Sequence, residues 1–226
     1  MRHFRSVYNV TAAGHDVFPP NPVNILTQAR AWYPERRRRT LITPSDLPAW
    51  WVAVMEEAEY ARDFLLIALF TGMRRNEIAR LRWENIDLKD RTLHLPRTKN
   101  GEPLNLPLAG YLVDLLTDRK AAAGKSPWVF PNSSACSHIV ETKTFADRVT
   151  ARSGVEFTLH DLRRTFITIA ESLDISHYAL KRMLNHKISG DLTAGYIVSD
   201  IERLRAPVAA VAARIIALAN NKVDAA

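Results

Sequence analysis

The chain has 226 residues, of which 47% are apolar, so it can bury the core of one large domain or two small ones. This composition excludes a chain that is disordered throughout. Its 31 lysines and arginines outnumber its 24 acidic residues and leave a net charge of +7, which favours polyanionic partners such as nucleic acids.

Cys136 is the only cysteine, which excludes an intramolecular disulfide and suits a reducing compartment. No uninterrupted apolar run is longer than that from Phe64 to Phe70, which is far shorter than the roughly 20 residues that span a bilayer. Residues 1–10 lack the apolar stretch of a secretory signal. We therefore expect a cytoplasmic protein without a membrane partner.

Residues 19–43 change in character and read as a linker. They contain several prolines and a basic run that consists of Arg36, Arg37, Arg38 and Arg39. Arginine is well suited to DNA phosphates, so this run is a candidate DNA-binding segment. A solvated basic linker without a ligand is the equally open alternative.

Two helices are predicted after the linker. Residues 43–46, Thr-Pro-Ser-Asp, have the pattern of a helix start, and a helix to about Glu57 follows. Residues 59–70 predict a second helix that is so apolar toward its end that it must be buried. Gly72 stands where such a helix commonly stops.

A more polar segment, residues 74–81, follows Gly72. Arg74 lies just beyond the buried helix, and Glu77, Ile78 and Leu81 continue with helical spacing. This spacing places Arg74 and Glu77 three residues apart on one face, where the carboxylate can orient the guanidinium.

One clear β signal follows. Residues 92–95 and 104–106 alternate between apolar and polar side chains, and Asn100-Gly101 between them is a strong hairpin-turn dipeptide. Lys99 lies at the predicted tip. From residue 109 onward the pattern is helical, with a break at about residues 126–134. The predicted fold class is therefore mainly α with a small antiparallel β-sheet, an α+β architecture.

A second polar block begins at Thr158. Thr158 and Asp161 have the spacing of a reciprocal capping pair, so a helix is predicted from about Leu159. His160 falls in its first turn, where the positive end of the helix dipole attracts anions and disfavours imidazolium. Arg163 shares that face. Taken alone, such a histidine is more often a cap or surface residue than a catalytic one.

A third block contains Leu184-Asn185-His186 at a helix end, followed by a glycine-containing break and Tyr196. A single tyrosine usually packs in a core or an interface with its hydroxyl hydrogen-bonded. The order of all the motifs, and not this residue alone, makes it a candidate nucleophile.

Taken in order, TGMRRNEI, TKNGEP, HDLRRTF, LNH and a tyrosine ten residues later resemble the catalytic domain of the tyrosine recombinases, the phage integrase family. The resemblance runs from about Arg39 to Ile197. It implies a catalytic set made of an arginine pair, a hairpin lysine, two histidines and a tyrosine nucleophile: Arg74, Arg163, Lys99, His160, His186 and Tyr196. It implies no metal ion and no cofactor, and double-stranded DNA as the partner.

The resemblance also assigns roles. The arginines would hold the phosphate, His160 would accept the phenol proton of Tyr196, His186 would donate a hydrogen bond to the phosphate, and Lys99 would protonate the departing 5′ oxygen. The expected function is site-specific DNA recombination or integration through a 3′-phosphotyrosyl intermediate. Assembly of a tetramer on DNA, with or without accessory DNA-bending proteins, would accompany it.

Three other functions stay open. A type IB topoisomerase shares the phosphotyrosyl chemistry but reseals the same strand, and a DNA-binding module keeps the fold without reacting. The complete set of reactive residues argues against the idle module. A metal-dependent nuclease fits least, because the histidines and acids form no metal-ligand motif.

The sequence departs from the family pattern at two places. The glycine that commonly precedes the second histidine is Asn185 here, which is interpreted as a tolerated variant. Family members usually carry a helical DNA-clamping domain first, and residues 4–23 resemble only its last helix and exit. Residues 1–40 are thus predicted as a remnant of that domain plus a basic linker, and residues 41–200 as the catalytic domain.

Residues 201–226 are predicted to contain an amphipathic helix, because apolar residues recur every three or four positions: Ile201, Leu204, Val208, Val211, Ile215 and Leu218. Packing on its own domain and docking into a neighbouring subunit are both open.

Overall fold

The computed structural model describes residues 2–31, 40–185 and 201–220. The predictions for Arg36 to Arg39, for His186 and for Tyr196 concern residues outside these ranges. The chain forms two compact units, Met1–Arg39 and Thr40–Ala226.

The first unit contains helix α1, Arg2–Ala12, and helix α2, Val23–Gln28. The segment after α1 folds back on it, because Tyr8 packs edge-on against Phe18 with 5.1 Å between ring centroids. The Tyr8 hydroxyl also donates a hydrogen bond to the carbonyl oxygen of Pro19 at 3.0 Å. The origin of this unit in a DNA-clamping domain stays a prediction.

The described part of the second unit is mostly helical. Its helices are α3 (Leu47–Met55), α4 (Glu59–Thr71), α5 (Arg75–Ala79), α6 (Gly110–Ala122), α7 (Lys143–Ser153), α8 (Leu159–Glu171), α9 (His177–Met183) and α10 (Glu202–Ala219). Its strands are β1 (Ile86–Asp87), β2 (Thr92–Leu95) and β3 (Leu104–Pro107). The predicted fold class is confirmed.

The strands form one antiparallel sheet in the order β1-β2-β3. In its register Leu93 lies opposite Leu106 and Leu95 lies opposite Leu104, so the apolar side chains share the buried face. The predicted hairpin of β2 and β3 is confirmed. β1 was not predicted, because two residues are too few to show an alternating pattern.

Helix α4 lies at the centre of the core and packs against α8, while α3 packs against α7. Phe64 of α4 is fully buried and makes edge-on ring contacts with Phe130 and Phe145. Burial on all sides explains why the end of α4 is almost wholly apolar.

Helix α10 packs on its own unit, against α3, α8, α9 and β3. Its buried residues include Leu204, Val208, Val211, Ile215 and Leu218, which confirms the predicted amphipathic stripe. Docking of this helix into a neighbouring subunit stays a prediction.

Two predicted boundaries were wrong. Helix α3 begins at Leu47 and not within residues 43–46, which form a turn instead. In this turn the Thr43 hydroxyl donates to the Asp46 carboxylate at 2.6 Å, and the Thr43 carbonyl accepts from the Leu47 N–H at 3.0 Å. The break after α6 extends from Ala123 to the start of α7, well beyond the predicted residue 134. Hydrogen bonds such as Ile139 N–H to Phe130 O, at 2.9 Å, hold that loop without a helix.

Among the described residues, no helix combines the length and the apolar character needed to cross a lipid bilayer.

Candidate active site

A basic cleft of about 1040 Å³ opens on the second unit. It lies between the start of α5, the segment before β1, the β2–β3 loop and the start of α8. Seven cationic side chains and two carboxylates line it: Arg74, Arg75, Arg80, Arg82, Arg97, Lys99 and Arg163, with Glu77 and Glu84. Such an excess of positive charge in a concave surface attracts polyanions.

Arg74 is the N-cap residue of α5, and its side chain lines the cleft. Its backbone N–H donates to Glu77 Oε2 at 2.8 Å, and its Nη1 donates to Glu77 Oε1 at 3.0 Å. The Glu77 side chain is only 9% exposed, so this carboxylate is a fixed support. The pairing has the geometry expected from the three-residue spacing.

Arg163 reaches the cleft from α8 and is 5% exposed. Its guanidinium donates to two backbone carbonyls, Gly72 O through Nη1 and Leu184 O through Nη2, the second at 2.8 Å. Burial and the positive charge of Arg74 together lower the pKa of Arg163 to about 10, with the Glu77 carboxylate opposing the shift. The side chain therefore remains protonated at neutral pH.

Gly72 connects these two arginines. It ends α4 in the left-handed region with φ of 61°. A Cβ built on it would lie 2.6 Å from Cδ1 of Phe166 on α8, so the backbone approaches α8 as closely as only glycine permits. This approach brings the Gly72 carbonyl within reach of Arg163 and carries Arg74 to the same edge of the cleft.

His160 lies in the first turn of α8. The helix start is fixed as predicted, because the Asp161 carboxylate accepts from the Thr158 N–H at 2.9 Å and from its hydroxyl at 2.7 Å. Partial burial lowers the pKa of His160, and the charges of Arg164 and Arg163 lower it further. The imidazole is therefore neutral at pH 7 and able to accept a proton.

Lys99 lies on the loop of residues 96–103 that joins β2 to β3, and its exposed side chain lines the cleft. The Gly101 N–H donates to Thr98 O at 3.0 Å and closes the turn around Lys99. Gly101 has φ of 85°, which explains the glycine at this position.

The structure thus places Arg74, Lys99, His160 and Arg163 around one cleft, although they come from distant parts of the sequence. Glu77 lines the same cleft. His186, Tyr196 and Arg36 to Arg39 lie outside the residues that the structure describes. Their roles, and the catalytic assignment of the whole set, stay predictions.

The two carboxylates of the cleft are paired with arginines, Glu77 with Arg74 and Glu84 with Arg82, each at 3.0 Å. Across residues 2–31, 40–185 and 201–220, no group of three or more His, Cys, Asp or Glu side chains is placed to hold a metal ion. We assign no residue to a metal or cofactor.

Sequence reasoning missed four arginines of the cleft: Arg75, Arg80, Arg82 and Arg97. Arg75 also supports the loop before α7, since its Nε donates to the Thr142 hydroxyl at 2.8 Å. The guanidinium of Arg82 lies 5.3 Å from the Trp128 ring centroid. Two of them could have been predicted from their positions in the sequence, because Arg75 follows Arg74 directly and Arg97 lies two residues before Lys99.

The sequence is similar to known integrases and recombinases. Residues 42–202 match the sequence model of the phage integrase family. The chain is 30% identical over 165 residues to prophage integrase IntF of Escherichia coli K12, covering 70% of this chain and 35% of that protein. It is 32% identical over 104 residues to a shufflon-specific DNA recombinase of Escherichia coli, covering 46% of this chain and 26% of that protein. The chain therefore spans about a third or less of these two relatives.

Solved structures share the fold. The integrase of the Tn1549 transposon, in complex with transposon right end DNA, matches with a TM-score of 0.64 at 15% identity, over 89% of this chain and 77% of that one. A lambda integrase dimer bound to a COC′ core site matches with a TM-score of 0.60 at 18% identity, over 88% of this chain and 72% of that one. The fold is that of a tyrosine recombinase catalytic domain.

Proposed function

The chain belongs to the phage integrase family, and we propose that it cuts and rejoins double-stranded DNA through a covalent bond between Tyr196 and a backbone phosphate. The observation that carries the proposal is the meeting of Arg74, Arg163, His160 and Lys99 on one basic cleft. The overall reaction is site-specific recombination or integration.

The arginine pair holds the scissile phosphate. Charge on the non-bridging oxygens grows as the attacking oxygen approaches, so fixed cationic donors stabilise the transition state more than the ground state. Glu77 orients Arg74, and two backbone carbonyls orient Arg163. Both guanidinium groups are positioned before DNA binds, so little reorganisation is needed during the reaction.

Two further cleft residues move protons. His160 accepts the phenol proton as the Tyr196 oxygen forms its bond to phosphorus. The bond between phosphorus and the 5′ oxygen breaks, and Lys99 donates a proton to that oxygen while His186 donates a hydrogen bond to the phosphate. The products are a 3′-phosphotyrosyl link and a free 5′ hydroxyl.

The intermediate stores the energy for rejoining. Because a phosphotyrosyl ester keeps most of the free energy of the phosphodiester, a 5′ hydroxyl of another strand reverses the reaction without ATP. The protein's own cations supply the positive charge at the phosphate, so the proposed chemistry needs no metal ion.

We also propose that the protein assembles into a tetramer on DNA, because exchange between two duplexes requires four cleavages. The lambda integrase neighbour is a dimer bound to a core site, which supports binding of DNA by more than one subunit. Accessory DNA-bending proteins could assist assembly.

Covalent trapping tests the proposal. The substrate is a pool of randomised duplexes with 5′ labels, each nicked near the centre of one strand, so that the short fragment released by cleavage diffuses away. In EDTA the wild-type protein should retain labelled DNA on a denaturing gel. Tyr196→Phe should bind DNA as well as wild type but form no adduct, because it lacks the nucleophilic oxygen.

An adduct of equal yield from Tyr196→Phe would contradict the mechanism. Sequencing the trapped DNA also identifies a cleaved duplex for later assays. Joining of ends from two different duplexes supports recombination, whereas relaxation of supercoils without exchange of ends supports a type IB topoisomerase.

A further inference from the structure

The loop that carries Lys99 is tied directly to the end of helix α9. The side-chain amide of Asn185 donates to Thr98 Oγ1 at 2.6 Å and to Glu102 O at 3.3 Å. In return, Asn100 Nδ2 donates to the backbone oxygen of Asn185 at 2.6 Å. Three hydrogen bonds therefore join two segments that lie more than 80 residues apart in the sequence.

Asn185 adopts a conformation that usually selects glycine. It lies in the left-handed region with φ of 49°, and its N–H donates to Arg182 O at 3.0 Å at the end of α9. Asparagine tolerates this region better than most residues. It thus meets the backbone requirement and adds a side-chain amide that glycine lacks.

Asn185 is hydrogen-bonded to the residues on both sides of Lys99. Thr98 is 8% exposed, and its hydroxyl donates to Glu102 O at 3.0 Å while accepting from Asn185. Both neighbours of Lys99, Thr98 and Asn100, are therefore bonded to Asn185. The backbone of Lys99 is held from two sides, whereas its side chain is exposed in the cleft.

The residue before Asn185 contacts Arg163, one of the two cleft arginines assigned to the phosphate. Leu184 O accepts from Arg163 Nη2 at 2.8 Å. The Leu184-Asn185 dipeptide thus contacts the phosphate-holding arginine on one side and the lysine loop on the other, immediately before His186 in the sequence. If the loop of residues 96–103 shifted relative to Asn185, the distance between Lys99 and a phosphate held by Arg163 would change.

We propose that Asn185 is a positioning residue that sets Lys99 for protonation of the leaving 5′ oxygen. This inference rests on the proposed function, in which the bond between phosphorus and the 5′ oxygen breaks with its electron pair and Lys99 supplies the proton. Loss of the amide leaves the lysine intact but frees its loop. A misplacement of about 1 Å can slow a reaction roughly 100-fold.

A sulfur-substituted substrate separates this role from a general structural one. Replacing the 5′ oxygen of the scissile phosphate with sulfur gives a thiolate leaving group, which needs no proton because thiols have pKa values near 8.5, as in cysteine. Cleavage of the sulfur substrate should therefore depend neither on Lys99 nor on the residue that positions it.

The experiment measures single-turnover cleavage of oxygen and sulfur versions of the duplex identified by trapping. The variants are Asn185→Gly, which keeps the left-handed backbone, and Lys99→Ala. The matched control is Asp174→Gly, which places glycine at another left-handed position, with φ of 53°, away from the cleft. Asn185→Gly should cleave the oxygen substrate about 10- to 100-fold more slowly than wild type and the sulfur substrate at nearly the wild-type rate.

Lys99→Ala should show the same pattern with a larger loss, and Asp174→Gly should match wild type on both substrates. Equal slowing of Asn185→Gly on both substrates, or its wild-type rate on the oxygen substrate, would overturn the inference while leaving the proposed function in place. If wild type cleaves neither substrate, the proposed function itself fails, and the inference fails with it.

Discussion

At the scale of single residues, the sequence predicted a contact between near neighbours but not the contacts between residues that are distant in the chain. The pairing of Arg74 with Glu77 followed from a three-residue spacing, and the structure has it at 3.0 Å. The acceptors of Arg163 could not be predicted, because Gly72 and Leu184 lie 91 and 21 residues away and contribute only backbone oxygens. Every residue has a backbone carbonyl, so the pattern of side chains does not indicate which carbonyl will accept a hydrogen bond.

The lowered pKa of His160 predicts the pH dependence of cleavage. Because the pKa lies below the ordinary value of 6.5, protonation requires a lower pH, and the neutral, proton-accepting form persists at pH 6.5 and above. Single-turnover cleavage measured between about pH 5 and pH 8 should stay level at the upper end and reach half of its maximum only below pH 6.5.

Arg164→Gln tests the cause of this shift. Removing the positive charge of Arg164 should raise the pKa of His160 and move the loss of cleavage to higher pH. Arg152→Gln is the control, since Arg152 pairs with Glu57 outside the cleft. An unchanged pH profile in Arg164→Gln would argue against His160 as the proton acceptor.

At the scale of elements, periodicity predicted the helices and the hairpin better than their ends. Helix α4 and its stop at Gly72 were predicted, because a buried helix and a terminal glycine both leave a sequence signal. The start of α3 was not, since residues 43–46 have the side chains of a helix start but form a turn before the helix. The contact of Gly72 with Phe166 depends on packing between helices distant in sequence, which no local pattern encodes.

Gly72→Ala should destabilise the protein for two reasons. A left-handed alanine costs about 1 to 2 kcal/mol, and crowding against Phe166 adds about 1 to 3 kcal/mol. Gly154→Ala is a matched control, because Gly154 also ends a helix with φ of 73° but has open space where the Cβ would be. Urea unfolding should show the larger loss of free energy for Gly72→Ala, and equal losses in the two variants would contradict the packing argument.

At the scale of the whole molecule, the fold brings polar segments from separate elements to one cleft. The order of the motifs predicted a shared site through the family resemblance, and the fold places four of the six predicted catalytic residues around that cleft. The additional arginines Arg80 and Arg82 were not predicted, because their exposure to the cleft depends on how the segment after α5 turns toward the sheet.

The central claim is that the arginines of this cleft stabilise the negative charge of one scissile phosphate. A methylphosphonate tests it, because a methyl group in place of one non-bridging oxygen makes the linkage neutral. The measurement compares single-turnover cleavage by wild type and Arg74→Gln on ordinary and methylphosphonate versions of the trapped duplex. Arg203→Gln, which changes an exposed arginine outside the cleft, is the control.

On ordinary DNA, Arg74→Gln should be about 100- to 1000-fold slower than wild type. On the neutral substrate the difference should shrink to less than about 10-fold, because the charge that Arg74 stabilises is absent. Arg203→Gln should match wild type on both substrates. The same loss for Arg74→Gln on both would contradict the account, since it would show that Arg74 does not act on the charge of the phosphate.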